Sequence, residues 1–205
     1  MHSLRLAVTA LTLLCASAVT VASAPEIKKT YSYFTISGLT GADLERELSK
    51  HGPLLAETGA RHPGATKIKL GGSVDYQKAD RRCRVLDAKV TLETQLTLPR
   101  WKDRNRANRE TVLVWDTLYS DIKRHEERHA EIARQWARKL EQALESLYPQ
   151  STCERMEARV AETSKSIIEK HSADQQRFDR AEAASFERRM RRMLRFKVEK
   201  LNGRS

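Results

Sequence analysis

The sequence predicts an α+β fold: an antiparallel sheet of about three strands and one short helix, packed against two long C-terminal helices. Three observations carry that expectation. Between Thr66 and Leu98 apolar and polar residues alternate, the period of strands with one buried face. From Trp115 onward the apolar spacing changes to steps of three and four, the period of a helix buried along one stripe. Pro99 and a basic stretch, Arg100 to Arg109, separate the two regimes, so strands come first and long helices follow.

The chain of 205 residues suits one domain with an extension. Residues 1–24 read as a signal peptide. His2 and Arg5 precede an apolar run from Leu6 to Val21, and Ala22-Ser23-Ala24 offers the small side chains that signal cleavage prefers. Pro25 directly after that pattern leaves room for the cut to fall a residue or two away. The run is short against the roughly 20 residues of a membrane-spanning helix. Leu13-Leu14-Cys15 is a weak lipoprotein match, because bulky Leu14 stands where a small residue is wanted. The expected location is therefore outside the cytoplasm, periplasmic or secreted. Cleavage removes Cys15 and leaves Cys83 and Cys153, an even pair that predicts one disulfide in an exported protein. Closing so long a loop stabilises the fold by about 4 kcal/mol in the chain-entropy model.

The formal net charge is +11, with 32% charged residues. A basic exported protein meets anionic lipid, envelope polymers or acidic partners. No nucleic-acid-binding motif is present, and export argues against that partner.

The elements follow in order. Lys28 to Ser37, with Tyr31, Tyr33, Phe34 and Ile36, predicts a strand ended by Gly38. Thr40 and Asp43 form a capping-box pattern that starts a helix over Gly41 to Lys50, stopped by His51-Gly52-Pro53. A loop with the turn His62-Pro63-Gly64 leads to a strand over Thr66 to Tyr76, where Gly71-Gly72 predicts a bulge. After the polar turn Gln77 to Arg82, a partner strand covers Cys83 to Leu98 and ends at Pro99. A helix then spans Trp115 to Leu147 with the inward stripe Trp115, Leu118, Ile122, His125, His129, Ile132, Trp136, Leu140 and Leu144. Tyr148-Pro149 stops it. Ser151 and Glu154 form a second capping box, opening a last helix that packs antiparallel on the first through Met156, Val160, Ile167, His171 and Phe178. Residues 187–205 form a strongly basic amphipathic tail, so that 186–204 offers a contact for an anionic membrane or the cell envelope.

His125, Glu126 and His129 stand in the order H-E-E-R-H inside the central helix. Imidazoles at i and i+4 share a face, so both can reach one ion. Zinc favours such nitrogen ligands, and a catalytic site keeps three protein ligands and one open position. Glu126, ionised at neutral pH, is placed to take a proton from an attacking water and pass it to a leaving amine. Two histidines bonded to other side chains would show the same spacing. A shared ion, however, satisfies both rings at once, where each unsatisfied buried group costs about 1–3 kcal/mol. Position 135 is Gln, so no third histidine follows at short spacing. The third ligand must come from the last helix, where the candidates are His171, Asp179 and Glu182, with Glu154, Glu157 and Glu162 nearer its start.

With these residues the chain resembles a bacterial family of secreted proteins labelled zinc-dependent proteases, domain of unknown function 922. The resemblance runs from about Tyr31 to Phe186. It rests on Gly38-Leu-Thr-Gly-Ala-Asp-Leu44, Thr66, Cys83, Leu96-Thr-Leu-Pro-Arg-Trp101, Trp115 ahead of the H-E-E-R-H helix, Cys153 and Phe178-Asp179, in that order. It implies an exported, zincin-like α+β domain over 25–186, with His125 and His129 as zinc ligands and Glu126 as base, and adds no established substrate; the expectation of a peptide or protein substrate comes from the metal-and-base chemistry. Many members end in Tyr-Asp-x-x-Thr-x-His-Gly, whose histidine is an attractive third ligand. Here Phe178 to Ser185 is the matching stretch, and Ala184 stands where that histidine would be. Asp179 or Glu182 replaces it, or the site is incomplete and the protein is a non-catalytic envelope protein on a degenerate scaffold.

Overall fold

The computed structural model describes residues 24–56 and 59–203, so all of the expected signal peptide except Ala24 lies outside it. The chain runs β1 (Glu26–Ile36), α1 (Gly41–His51), β2 (Ala65–Ala79), β3 (Arg82–Trp101), a 3-10 turn (Arg104–Arg106), α2 (Arg109–Glu145) and α3 (Cys153–Leu201). The expected capping box opens α1: the Thr40 hydroxyl accepts from the Asp43 backbone N–H, and the Asp43 carboxylate accepts from the Thr40 N–H.

The three strands form one sheet in the order β1-β3-β2. β2 and β3 pair antiparallel around a two-residue turn, Asp80-Arg81, both at positive φ (49° and 61°). That turn hand matches the strand twist. β1, however, pairs with β3 in parallel, from Glu26↔Thr91 to Ile36↔Trp101. The sheet is mixed, not antiparallel. β3 returns from the hairpin between β1 and β2, so it runs with β1; alternation reports which face a residue takes and carries no strand direction.

Three local expectations are corrected. Gly71 and Gly72 sit in unbroken register opposite Thr91 and Val90. Gly72 is demanded by close approach: a Cβ there would lie 2.1 Å from the Lys89 carbonyl oxygen. The irregularity falls instead between Asp75 and Tyr76, whose partners are Asp87 and Val85, so β3 skips Leu86. This bulge shifts the phase of β3. Cys83 is buried before it, and Ala88, Val90 and Leu92 are buried after it, while Leu86 is exposed. Nor does Pro99 end β3. Pairing with β2 stops at Thr97, so Pro99 has a strand on one side only, where a missing N–H is tolerated. Finally, α3 is capped by Thr152, not Ser151; the Thr152 hydroxyl accepts from the Arg155 N–H at 3.3 Å.

The helices stack on one face of the sheet. Ala88, Val90 and Leu92 meet Ala133, Ala137, Leu140 and Leu144 of α2, and Val160 and Ile167 of α3 join the edge of this core. Alanines at 133 and 137 let the helix lie close to the strands. A second cluster, Ile36, Leu44, Trp101 and Trp115, fixes the start of α2. The predicted disulfide joins Cys83 to Cys153 with Cα atoms 5.0 Å apart. Beside it, Cys83 and Gln150 exchange two backbone hydrogen bonds of 2.8 Å, which tie the α2–α3 turn to the start of β3. α3 then runs antiparallel along α2, and residues 187–201 are its last turns. No helix among the described residues is long and apolar enough to cross a membrane.

Candidate metal centre

α2 buries two different faces. The sheet side takes Trp115, Ile122, Ala130, Ala133, Ala137 and Glu126; Glu126 is only 5% exposed. The other side meets α3. His125 and His129 face that way, half-buried, and Phe178 of α3 stacks on His125 at 5.0 Å and stands edge-on to His129 at 5.1 Å. This differs from the expected stripe, which set both histidines among the core residues and left Glu126 out; it is Glu126 that faces the sheet. A helix covered on two sides has two stripes, and periodicity merged them into one.

Three ligand-type atoms converge at the α2–α3 seam. His125 Nε2 and His129 Nε2 are 3.0 Å apart. Asp179 Oδ1 lies 3.4 Å from the first and 3.0 Å from the second. Tetrahedral ligands about 2.0–2.1 Å from an ion are roughly 3.3 Å from one another, so this triangle has the size a zinc ion needs. The donor chemistry, two imidazole nitrogens and a carboxylate oxygen, also suits zinc. Asp179 is half-exposed, so solvent reaches the group from its side. Burial and the neighbouring His129 push the proton affinity of His125 down, which favours the neutral, ligating ring.

Other sequence candidates lie elsewhere in the contact network. Glu182 Oε2 is 3.7 Å from His125 Nδ1, but it is claimed by two arginines. Arg124 bonds it directly and Arg189 lies 3.1 Å away. Burial works against its charge, yet the Arg124 hydrogen bond and both guanidinium charges hold its proton affinity below the ordinary range. The same two arginines grip buried Asp121, with Arg189 at 2.7 and 3.0 Å and Arg124 at 3.0 Å. Glu182 thus serves a four-charge clamp between α2 and α3. His171 is 8% exposed, and its Nε2 contacts Gln175 at 2.9 Å, outside the triangle. Glu162 pairs with Arg159, away from the histidines. Ala184 is exposed; α3 continues through it, about 140° round the helix from Asp179, so a histidine there would not face the pair.

Glu126 is positioned by the start of β2. Its Oε2 accepts from the Thr66 hydroxyl at 2.8 Å. Gly64 leaves the space: a Cβ there would lie 2.9 Å from Glu126 Oε1 and 2.8 Å from Ile122 Cγ2. Burial raises the proton affinity of Glu126, while the Thr66 bond and the nearby His129 moderate the rise. The sequence shows Thr66 as a strand start and a family landmark and Gly64 as part of a turn, with nothing that links either to Glu126. Sequence reading misses Gln175 altogether, although His171, Gln175 and Asp179 follow at steps of four on one helix face.

Fold and site together define an α+β protein with a candidate metal-binding group between two long helices. The family model described as "Bacterial protein of unknown function (DUF922)" matches residues 31–186, and the chain belongs to that family. No curated protein and no solved structure matches it.

Proposed function

We propose that the protein is an exported, zinc-dependent peptidase with a zincin-like site. The observation that carries this reading is the convergence of Asp179 Oδ1, from α3, on His125 Nε2 and His129 Nε2 of α2, the helix that also presents buried Glu126. His125, His129 and Asp179 would hold the ion. A bound zinc ion polarises a substrate carbonyl and acidifies water. The rest falls to the protein. Glu126 accepts a proton from the attacking water and returns it to the leaving amine. Its burial raises its affinity for that proton, and Thr66 aims the carboxylate. β2 is an edge strand of the sheet, so an extended peptide finds a row of backbone partners beside Thr66. The Cys83–Cys153 bond fits an oxidising compartment and supports the export reading.

Hydrolysis of a mixed peptide library by zinc-loaded protein tests the proposal. Cleavage should occur with wild type and fall on the order of 100- to 10,000-fold in Glu126→Gln, with zinc content unchanged. The alternative is a zinc-binding scaffold without turnover. It is favoured by the near-complete burial of Glu126 and its bond to Thr66, which limit access to the carboxylate. Bound zinc with no cleavage of any peptide by wild type would establish it.

A further inference from the structure

We infer that Gln175 is a positioning residue that fixes the tautomer of His129 and so presents an unprotonated nitrogen to the metal group. The inference deepens the zinc reading and rests on it for its purpose, but not for its geometry.

The chemistry of the contacts sets the orientation of the Gln175 amide. Its Nε2 lies 3.1 Å from the His129 backbone carbonyl oxygen. A carbonyl only accepts, so the NH2 end must be the one placed there. The other hydrogen of the same NH2 points to His171 Nε2 at 2.9 Å. Gln175 Oε1 is then left facing His129 Nδ1 at 2.6 Å. An amide oxygen cannot donate, so Nδ1 carries the proton. In the neutral ring the lone pair therefore belongs to Nε2. That atom is the one 3.0 Å from Asp179 Oδ1 and 3.0 Å from His125 Nε2. Buried His171 completes the arrangement: by accepting from Gln175 it opposes a flip of the amide that would set two acceptors against each other. Gln175 thus plays the part an outer hydrogen-bond acceptor plays behind a metal-bound histidine, in which the far ring nitrogen is protonated and the near one is free to ligate. The steps of four from His171 to Gln175 to Asp179 place anchor, acceptor and carboxylate on one face of α3.

Two measurements test this. First, zinc is stripped from 15N-labelled protein by chelation, and the ring nitrogens of His129 are read by long-range 15N–1H correlation at neutral pH. Wild type should carry the proton on Nδ1. Gln175→Met, similar in size but without the amide, should shift His129 toward the Nε2-protonated form that free imidazole side chains prefer. Second, zinc is titrated against a fluorescent chelator. Gln175→Met should bind about 10- to 100-fold more weakly than wild type. Gln175→Glu keeps an acceptor for Nδ1–H and should stay within a few-fold of wild type. A proton on Nε2 of His129 in wild type overturns the inference, and so does unweakened zinc binding by Gln175→Met. The wild-type spectrum decides the tautomer even if Gln175→Met does not fold. Wild type that binds no zinc but shows the Nδ1 proton defeats the zinc reading while leaving the tautomer assignment standing.

Discussion

The two buried walls of α2 are built from different materials. The wall toward the sheet is made of Ala133, Ala137, Leu140 and Leu144 against Ala88, Val90 and Leu92. The wall toward α3 is largely polar at its centre: His125 and His129 against Gln175, Asp179 and Glu182, then Asp121 against Arg189. Apolar packing is non-directional and is felt by the whole fold. Hydrogen bonds and ion pairs are directional and fix particular atoms. The H-E-E-R-H helix uses both. Glu126, the proposed base, is inserted into the rigid wall, and the histidine nitrogens of the candidate metal group face the wall that a few polar contacts hold in register.

This contrast can be broken from either side. The larger expected effect is on the sheet wall. Leu92 is 1% exposed, and Leu92→Ala should lower the free energy of unfolding by about 2–5 kcal/mol in a denaturant titration. Zinc affinity of the molecules that remain folded should hardly change.

The opposite wall should show the reverse pattern. Arg189→Ala removes the main partner of Asp121 but leaves Arg124 in place, so about 1–3 kcal/mol of stability should be lost. Zinc binding should weaken along with it, because the clamp holds the turn of α3 beside Asp179. The same pair gives a pH signature. Burial disfavours the charge on Asp121, yet the hydrogen bonds from Arg189 and Arg124 outweigh it and hold its proton affinity below the ordinary carboxylate value. A depressed folded value means the stabilisation is complete above the unfolded value and is lost as pH falls through the folded one. The thermal stability of wild type should therefore fall as pH drops below about 4, and Arg189→Ala should flatten that dependence.

Much of this was legible in the sequence. The strand pair, the Thr40–Asp43 box, both long helices and the cysteine pair follow from period and local chemistry, which act between near neighbours. The parallel pairing of β1 with β3 did not, because Tyr31 and Tyr33 alternate alike in either direction. Gly71-Gly72 looks like a bulge in sequence, but glycine there admits a close carbonyl; the real phase change at Leu86 carries no turn residue. The site divided in the same way. His125 and His129 at four-residue spacing were visible. Asp179 and Glu182 were both visible as carboxylates on α3, but their different roles depend on Arg124 and Arg189, which only packing brings to Glu182. Gln175 has an uncharged amide with no motif of its own, and its part emerges only from three contact distances.

The most direct test of the metal group is zinc stoichiometry and affinity in wild type and in Asp179→Ala, by elemental analysis and competition titration. Wild type should hold close to one zinc per chain. Asp179→Ala should fold normally and bind it more weakly by over about 100-fold, since losing a ligand should cost more than losing the residue behind one. A correctly folded wild-type protein that takes up no zinc would contradict the assignment, as would an Asp179→Ala variant that binds it as tightly as wild type.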